Sequence, residues 1–455
     1  MAKSILIKGA KIVNEGRIFE GDVFIGNGII KEIKSSSSPF PVSDGDRGWF
    51  CIDARGKFLL PGVIDEHVHL REPGLTQKGD IYSESKAAIA GGVTSLMDMP
   101  NTNPKATTLK IVEEKFTLAA QKSFANYSFY LGATNDNISE IERADPCRIC
   151  GLKVFMGAST GNMLVDDQDS LEMIFKRSPL LIAVHAEEES IIQENLRIFR
   201  EKYGDNIPFE AHPLIRSEEA CFHSSERAVE LARKHNARLH LLHLSTAREM
   251  ELLDNSIPLV QKKITGEVCV HHLWFDDRDY INKGSKIKWN PSIKNNSDKN
   301  GLLRGVLDDR IDTIATDHAP HTSGDKDQSY MTCPSGAPLI QHSLVAMLEL
   351  YHRGMISLEK IVEKMCHGPA ILYRIKKRGF IREGYAADLV LVDLHAPWIV
   401  NSSNILYKCG WSPMEGQTFN SSVTHTLVNG ELVYEYGKFN EHVRGQRLEF
   451  NYYLL

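Results

Sequence analysis

The chain has 455 residues, 42% of them hydrophobic and 25% charged, with a formal net charge of -6. That length exceeds one average core and suits a barrel with a smaller domain attached. The acidic balance argues against a nucleic-acid partner, whose footprint would be a clustered basic face, and no apolar run is long enough to span a bilayer. The opening residues 1–8 are strand-like and lack the sustained apolar region of a signal peptide, so a cytoplasmic chain is expected.

Short strands separated by turns fill the first stretch: Ile5-Leu6-Ile7, residues 10–13, residues 22–25 and residues 29–33, with Asn14-Glu15-Gly16 and Gly26-Asn27-Gly28 between them. Strand-like runs then alternate with helical patterns. The strands expected are Gly62–His67, Val93–Met99, Tyr127–Gly132, Leu152–Met156, Leu181–His185, Leu239–Leu244, Thr265–Val270 and Asp312–Asp317. Helical stretches between them include Ile81–Ala90, Thr108–Ala120, Ser170–Phe175, Glu218–Lys234 and Ala247–Leu253. Eight strand–helix repeats predict an α/β fold, a (β/α)8 TIM barrel whose chemistry sits at the C-terminal ends of its strands. Strands return near the end, at residues 388–392, 425–428 and 430–434. Neither terminal stretch can bury a core alone, so residues 1–57 and 373–455 are expected to form one small β-sandwich beside a barrel over 58–372.

Five barrel strands end on a residue able to bind a transition metal. His67 and His69 are two apart, so both imidazoles point to one face. His185 and His243 close strands five and six. A histidine ending a strand is more often a packing or hydrogen-bonding residue, but coincidence at one barrel mouth reverses that weighting. Lys153 alternates with Leu152 and Val154 and should enter the barrel interior, where burial depresses the pKa of an amine. A barrel carboxylate could pair with it. Alternatively the neutral amine reacts with CO2 to give a carbamate, a two-oxygen anion able to bridge two metals. Asp317 could merely cap the following segment; beside so many histidines the ligand reading prevails, and a carboxylate near activated water can take and return its proton.

The remaining motifs carry less. Cys147 and Cys150 form a C-x-x-C, but a zinc ribbon needs a second pair, and the eight cysteines are expected to be reduced. Gly157–Asn162 lacks the Gly-Lys-Ser/Thr ending of a phosphate loop and reads as a flexible loop at the mouth. His271-His272 suits a structural role. The polar segment Thr322–Ser335 reads as a lid or a disordered loop, and Glu187–Glu189 as a solvated helix start.

Several of these segments resemble the amidohydrolase superfamily, and within it the dihydroorotases. The resemblance rests on Asp65-Glu66-His67-Val68-His69-Leu70-Arg71-Glu72-Pro73-Gly74, Asp98-Met99-Pro100-Asn101-Thr102-Asn103-Pro104, Gly151-Leu152-Lys153, the two histidine strand ends and Thr316-Asp317-His318-Ala319-Pro320-His321. Gly384-Tyr385-Ala386-Ala387-Asp388 resembles the strand by which the family's chain re-enters the sandwich. The resemblance implies two zinc ions per chain. One is held by His67, His69 and Asp317, the other by His185 and His243, with a carbamate on Lys153 and a hydroxide between them. It further implies a small anionic substrate, dihydroorotate or N-carbamoyl-aspartate, met by Arg71, Asn101, Asn290 and His321, with Asp317 as the catalytic proton carrier. A planar guanidinium suits the substrate carboxylate bidentately. Cys333–His342 departs from the dihydroorotase pattern and is closer to the allantoinase form, which keeps allantoinase or hydantoinase chemistry as the alternative. A non-catalytic amidohydrolase-like scaffold is the remote one. No membrane or nucleic-acid partner is implied, and a homo-oligomer is compatible with the chain.

Overall fold

The computed structural model describes residues 4–35, 40, 49–157 and 163–452. Its centre is a ring of parallel strands: Val63–Val68, Val93–Asp98, Asn126–Phe129 continued by Leu131–Gly132, Leu152–Phe155, Ile182–His185, Leu239–Leu241, Ile264–Cys269 and Thr313–Ala315. Asn126–Phe129 pairs with the second strand and Leu131–Gly132 with the fourth; Tyr130 between them donates its N–H to the Asp98 carbonyl at 3.1 Å. The ring closes where Val68 bridges His318 and the His69 N–H reaches the His318 carbonyl at 2.7 Å. Almost every position of these strands is buried, which is why they read as near-continuous apolar runs rather than alternating ones.

Helices cover the ring, among them Ile81–Ala90, Leu109–Lys122, Gln168–Arg177, Glu189–Tyr203, Glu218–His235 and Asn296–Leu307. Asp80, Thr108, Asp167, Ser217 and Asn295 each accept a first-turn N–H, so short polar residues fix where these helices begin. The helix expected over Ala247–Leu253 is a 3-10 turn, Arg248–Leu252. Its entry is held by the Glu249 carboxylate, which accepts from Ser245 and Thr246 N–H, and Asp254-Asn255-Ser256 ends it before a full helix can form.

Both chain ends meet in one sheet of nine strands. Leu389–Asp393 runs antiparallel to Phe58–Pro61, which lies parallel to Ile5–Asn14. The period of two along these strands separates their faces. Leu59, Leu389, Leu391 and Leu427 cluster with Ile7, Ile12, Val23 and Ile25 as the sheet's own core. Leu60, Val390, Val392 and Val428 turn the other way and join the barrel core. The fold is a TIM barrel with a β-domain built from both ends. Among the described residues, no helix is long and apolar enough to cross a membrane.

Candidate metal centre

The first barrel strand brings His67 and His69 to the mouth, and the ends of strands four, five, six and eight bring Lys153, His185, His243 and Asp317 beside them. Strands six and eight are shorter than expected, ending at Leu241 and Ala315. His243 and Asp317 lie just beyond, at φ 39 and 46, and Arg71 follows the first strand at φ 67. Left-handed backbone at residues other than glycine costs about 1–3 kcal/mol each and gathers where function requires it. At Gly74 the chain takes φ 85, and an added Cβ would collide with the Asn103 carbonyl, so the loops after strands one and two touch.

Hydrogen bonds on the outer ring nitrogens decide what the inner ones can do. His67 Nδ1 lies 2.8 Å from Glu267 Oε1, His69 Nδ1 2.7 Å from Asn101 Oδ1, and His185 Nε2 2.8 Å from Glu187 Oε2. Each partner is an acceptor, so each outer nitrogen carries the hydrogen, and the inner nitrogen of a neutral ring is a bare lone pair. The lone pairs of His67 and His69 converge on a carboxylate oxygen, and that of His185 meets the His243 ring. His69 Nε2 is 3.0 Å and His67 Nε2 3.4 Å from Asp317 Oδ1, while His185 Nδ1 is 2.9 Å from His243 Nε2. Burial pushes His69 down to about 4 and depresses His185 and His243 as well. Imidazole lone pairs that face a carboxylate oxygen repel it unless a cation lies between them, so the His67, His69 and Asp317 donor set fits divalent metal, and the His185 and His243 rings stand beside it with two further nitrogens. Borderline-soft imidazoles with one carboxylate are the ligands of zinc and its neighbours.

Lys153 is 1% exposed and opens onto the same cavity. Burial lowers its amine to about 7, and among the described residues no carboxylate forms a salt bridge with it, which disfavours the simple ion-pair reading. The cavity has a volume of about 530 Å³, the size of a small-molecule site. Arg71, Asn101, Asn290 and His321 line it, as do Lys78 and Lys105. Arg71 is buried, and its Nε donates to the Pro320 carbonyl at 3.0 Å. Its Nη2 lies 3.1 Å from His321 Nε2. Asn290 Oδ1 accepts from Ser335 Oγ at 2.9 Å. The Asn101 oxygen is committed to His69, leaving only its amide nitrogen for a substrate. Three cationic side chains around one mouth favour an anionic ligand.

Two glutamates belong to the site although their sequence neighbourhoods did not announce it. Glu187 is not a solvated helix start. It is fully buried, oriented on His185 and paired with Arg216; burial raises its carboxyl, but Arg216, His185 and Lys294 together bring it down to about 2. The helix begins only at Glu189. Glu267, on strand seven, accepts from both His67 Nδ1 and the His243 backbone N–H, the latter at 3.0 Å. Its signal was a lone charge inside the buried strand Ile264–Cys269. Glu267→Gln is expected to weaken metal binding about 10–100-fold, as measured by chelator competition. Unchanged affinity would remove Glu267 from the centre.

The segment Thr322–Ser335 is tied down rather than loose. Lys326 Nζ donates to the Pro334 and Gly336 carbonyls at 2.9 and 3.0 Å, and Lys288 Nζ to those of Tyr330 and Cys333 at 2.8 and 2.6 Å. His271 stacks on Trp289 with centroids 4.0 Å apart, and His272 Nε2 reaches the Pro291 carbonyl at 3.3 Å, both structural contacts. All eight cysteines are free. Of the loop Gly157–Asn162, residues 158–162 lie outside the described residues.

Residues 58–433 match the amidohydrolase family model. A dihydroorotase of Pyrococcus abyssi is 32% identical over 450 residues, covering 97% of this chain and 98% of that protein. A dihydroorotase of Pyrococcus furiosus is 33% identical over 396 residues, covering 87% of this chain and 86% of that protein. In structure, an L-hydantoinase (dihydropyrimidinase) from Arthrobacter aurescens superposes with a TM-score of 0.91 at 28% identity, over 99% of this chain and 100% of that one.

Proposed function

The chain belongs to the amidohydrolase family, and on that premise we propose that it acts as a dihydroorotase, interconverting dihydroorotate and N-carbamoyl-L-aspartate for pyrimidine synthesis in the cytoplasm. The observation that carries this reading is the presence, in one cavity, of a converging set of lone-pair donors beside Arg71 and His321. The first half suits metal-assisted amide hydrolysis. The second suits a ring bearing a carboxylate that the reaction leaves untouched.

In this reading residues 58–372 form the catalytic barrel domain and the two ends its companion. His67, His69 and Asp317 would hold one zinc ion and His185 and His243 a second, with Lys153, carbamylated by CO2, as a further anionic ligand. When bound, such ions supply Lewis acidity, activating water near neutral pH and polarising the amide carbonyl. The protein's own groups do the rest. Arg71, pinned by the Pro320 carbonyl, takes the substrate carboxylate, with His321 and the Asn101 amide nitrogen beside it. Asn290 borders the ring. Asp317 accepts the proton of the attacking water and returns it to the departing ring nitrogen; in the reverse direction it takes the proton of the attacking ureido nitrogen and delivers it to the departing hydroxyl, which leaves as water. Glu267 and Glu187 keep the imidazoles turned inward.

The test is turnover of the zinc-loaded protein on dihydroorotate, allantoin and hydantoin side by side. Dihydroorotate is expected to give the highest kcat/KM, and Arg71→Met to raise its KM about 10–100-fold, the worth of a charge-assisted bidentate contact. Preference for allantoin or hydantoin would replace this reading with that activity, and a protein holding no stoichiometric zinc would leave only the scaffold.

A further inference from the structure

The cavity wall holds a hydrogen-bonding conflict whose resolution involves a residue outside the metal centre. His321 is buried between two cations: Lys78 Nζ lies 3.0 Å from its Nδ1 and Arg71 Nη2 3.1 Å from its Nε2. The Ser335 carbonyl also lies 3.0 Å from Nε2. An ammonium group can only donate, so Nδ1 facing Lys78 must be the acceptor. The single ring hydrogen of neutral His321 is then on Nε2, where the Ser335 carbonyl accepts it. Burial, with Arg71, Lys78 and Lys326 around the ring, favours that neutral form. Asp325 lies at the outer side of this arrangement, 3.6 Å from Lys78 Nζ and 3.9 Å from His321 Nδ1.

Arg71 Nη2 and His321 Nε2 are therefore two donors held side by side, and neither can satisfy the other. The Ser335 carbonyl takes the ring hydrogen, so among the described residues it is Arg71 Nη2 that His321 leaves without an acceptor. We infer that Lys78 is the positioning residue of an anion receptor: by occupying Nδ1 it keeps the ring hydrogen on Nε2, so that His321 cannot accept from Arg71 and the guanidinium stays available to a carboxylate of the substrate. Without Lys78 the ring is free to move its hydrogen to Nδ1. Nε2 would then accept from Arg71, and the two groups would quench each other instead of binding the anion. This assignment deepens the dihydroorotase reading and rests on it, since it supplies that reading's discrimination between acidic and uncharged rings.

The experiment uses the full-length zinc-loaded protein with 15N-labelled histidine, the His321 signal being assigned by its loss in His321→Gln. Wild type is expected to show His321 with its hydrogen on Nε2, and Lys78→Met to shift it to Nδ1. In parallel, Lys78→Met should raise KM for dihydroorotate about tenfold, with kcat little changed and KM for uncharged dihydrouracil or hydantoin unaffected. Lys78→Arg, which keeps a donor at Nδ1, should restore both readouts. Should Lys78→Met lose zinc or unfold, Lys78→Leu, which likewise offers no donor, replaces it. The same tautomer in wild type and variant would overturn the assignment, as would an equal rise in KM for the uncharged ring; a simple field effect of the lost charge would raise KM without moving the hydrogen. If wild type does not turn over dihydroorotate at all, the functional reading fails, while the tautomer comparison still decides the role of Lys78.

Discussion

Asp317→Asn is expected to lower kcat on dihydroorotate by about 10²–10⁴-fold, the usual worth of a positioned proton carrier. Asp317 Oδ1 faces both His69 Nε2 and His67 Nε2, at 3.0 and 3.4 Å. Among the described residues no hydrogen bond engages Oδ2, which leaves that oxygen to receive a proton. Asparagine preserves the shape and one donor oxygen but cannot carry the proton, so turnover should fall further than metal content. Zinc per chain is measured on the same preparation to separate the two. A variant with zinc bound and near-normal kcat would remove Asp317 from proton transfer while leaving it a ligand.

The second large effect is expected at Lys153. With Lys153 carbamylated as proposed, Lys153→Ala would remove an anion from among the four imidazoles, and the carbonyl and water would lose the field that activates them. Losing an electrostatic stabiliser of this kind costs about 10²–10³-fold in kcat, and loss of the second ion would add to it. The distinctive outcome is rescue. Acetate or propionate can enter the space vacated by the side chain, within a cavity of about 530 Å³, and supply the two oxygens of the missing carbamate. Restored zinc content and partial activity with added carboxylate, absent with chloride, is the expected result. Full activity of Lys153→Ala without any carboxylate would show that no modified lysine is needed. In the intact protein, mass spectrometry under native conditions should find Lys153 heavier by one CO2.

The convergence of His67, His69, Lys153, His185, His243 and Asp317 on one cavity was legible because each lies at or near the end of an apolar run, and strand geometry forces such residues to one mouth. The spacing of His67 and His69 needs only the period of two. Their supporting partners were harder to read. Glu267 and His67 are 200 residues apart, and nothing local to either predicts that the ring will close between them. Glu187 stands in an acidic run, Glu187-Glu188-Glu189, whose last member does begin a helix. Only its burial against His185 and Arg216 separates it from its neighbours. Lys288 and Lys326 illustrate a second limit. Lysines in a polar stretch read as solvated, yet here each donates to backbone carbonyls of the segment once read as a lid. The strands of the chain ends followed from alternation, and their union in one β-domain from the inability of either end to bury a core alone; the pairing that joins them in a single nine-stranded sheet, Leu389–Asp393 against Phe58–Pro61, is long-range and has no local signal.

The inward lone pairs of His67 and His69 face an acidic oxygen of Asp317, a contact that calls for positive charge between them, and the proposed chemistry rests on that electrostatic arrangement. A crystal structure of the zinc-loaded protein with anomalous data at the zinc edge tests it most directly. Two zinc peaks are predicted, one against His67, His69 and Asp317 and one against His185 and His243, with a carbamate on Lys153 between them. Zinc bound elsewhere, or an unmodified ammonium on Lys153 with its surrounding histidines metal-free, would contradict it.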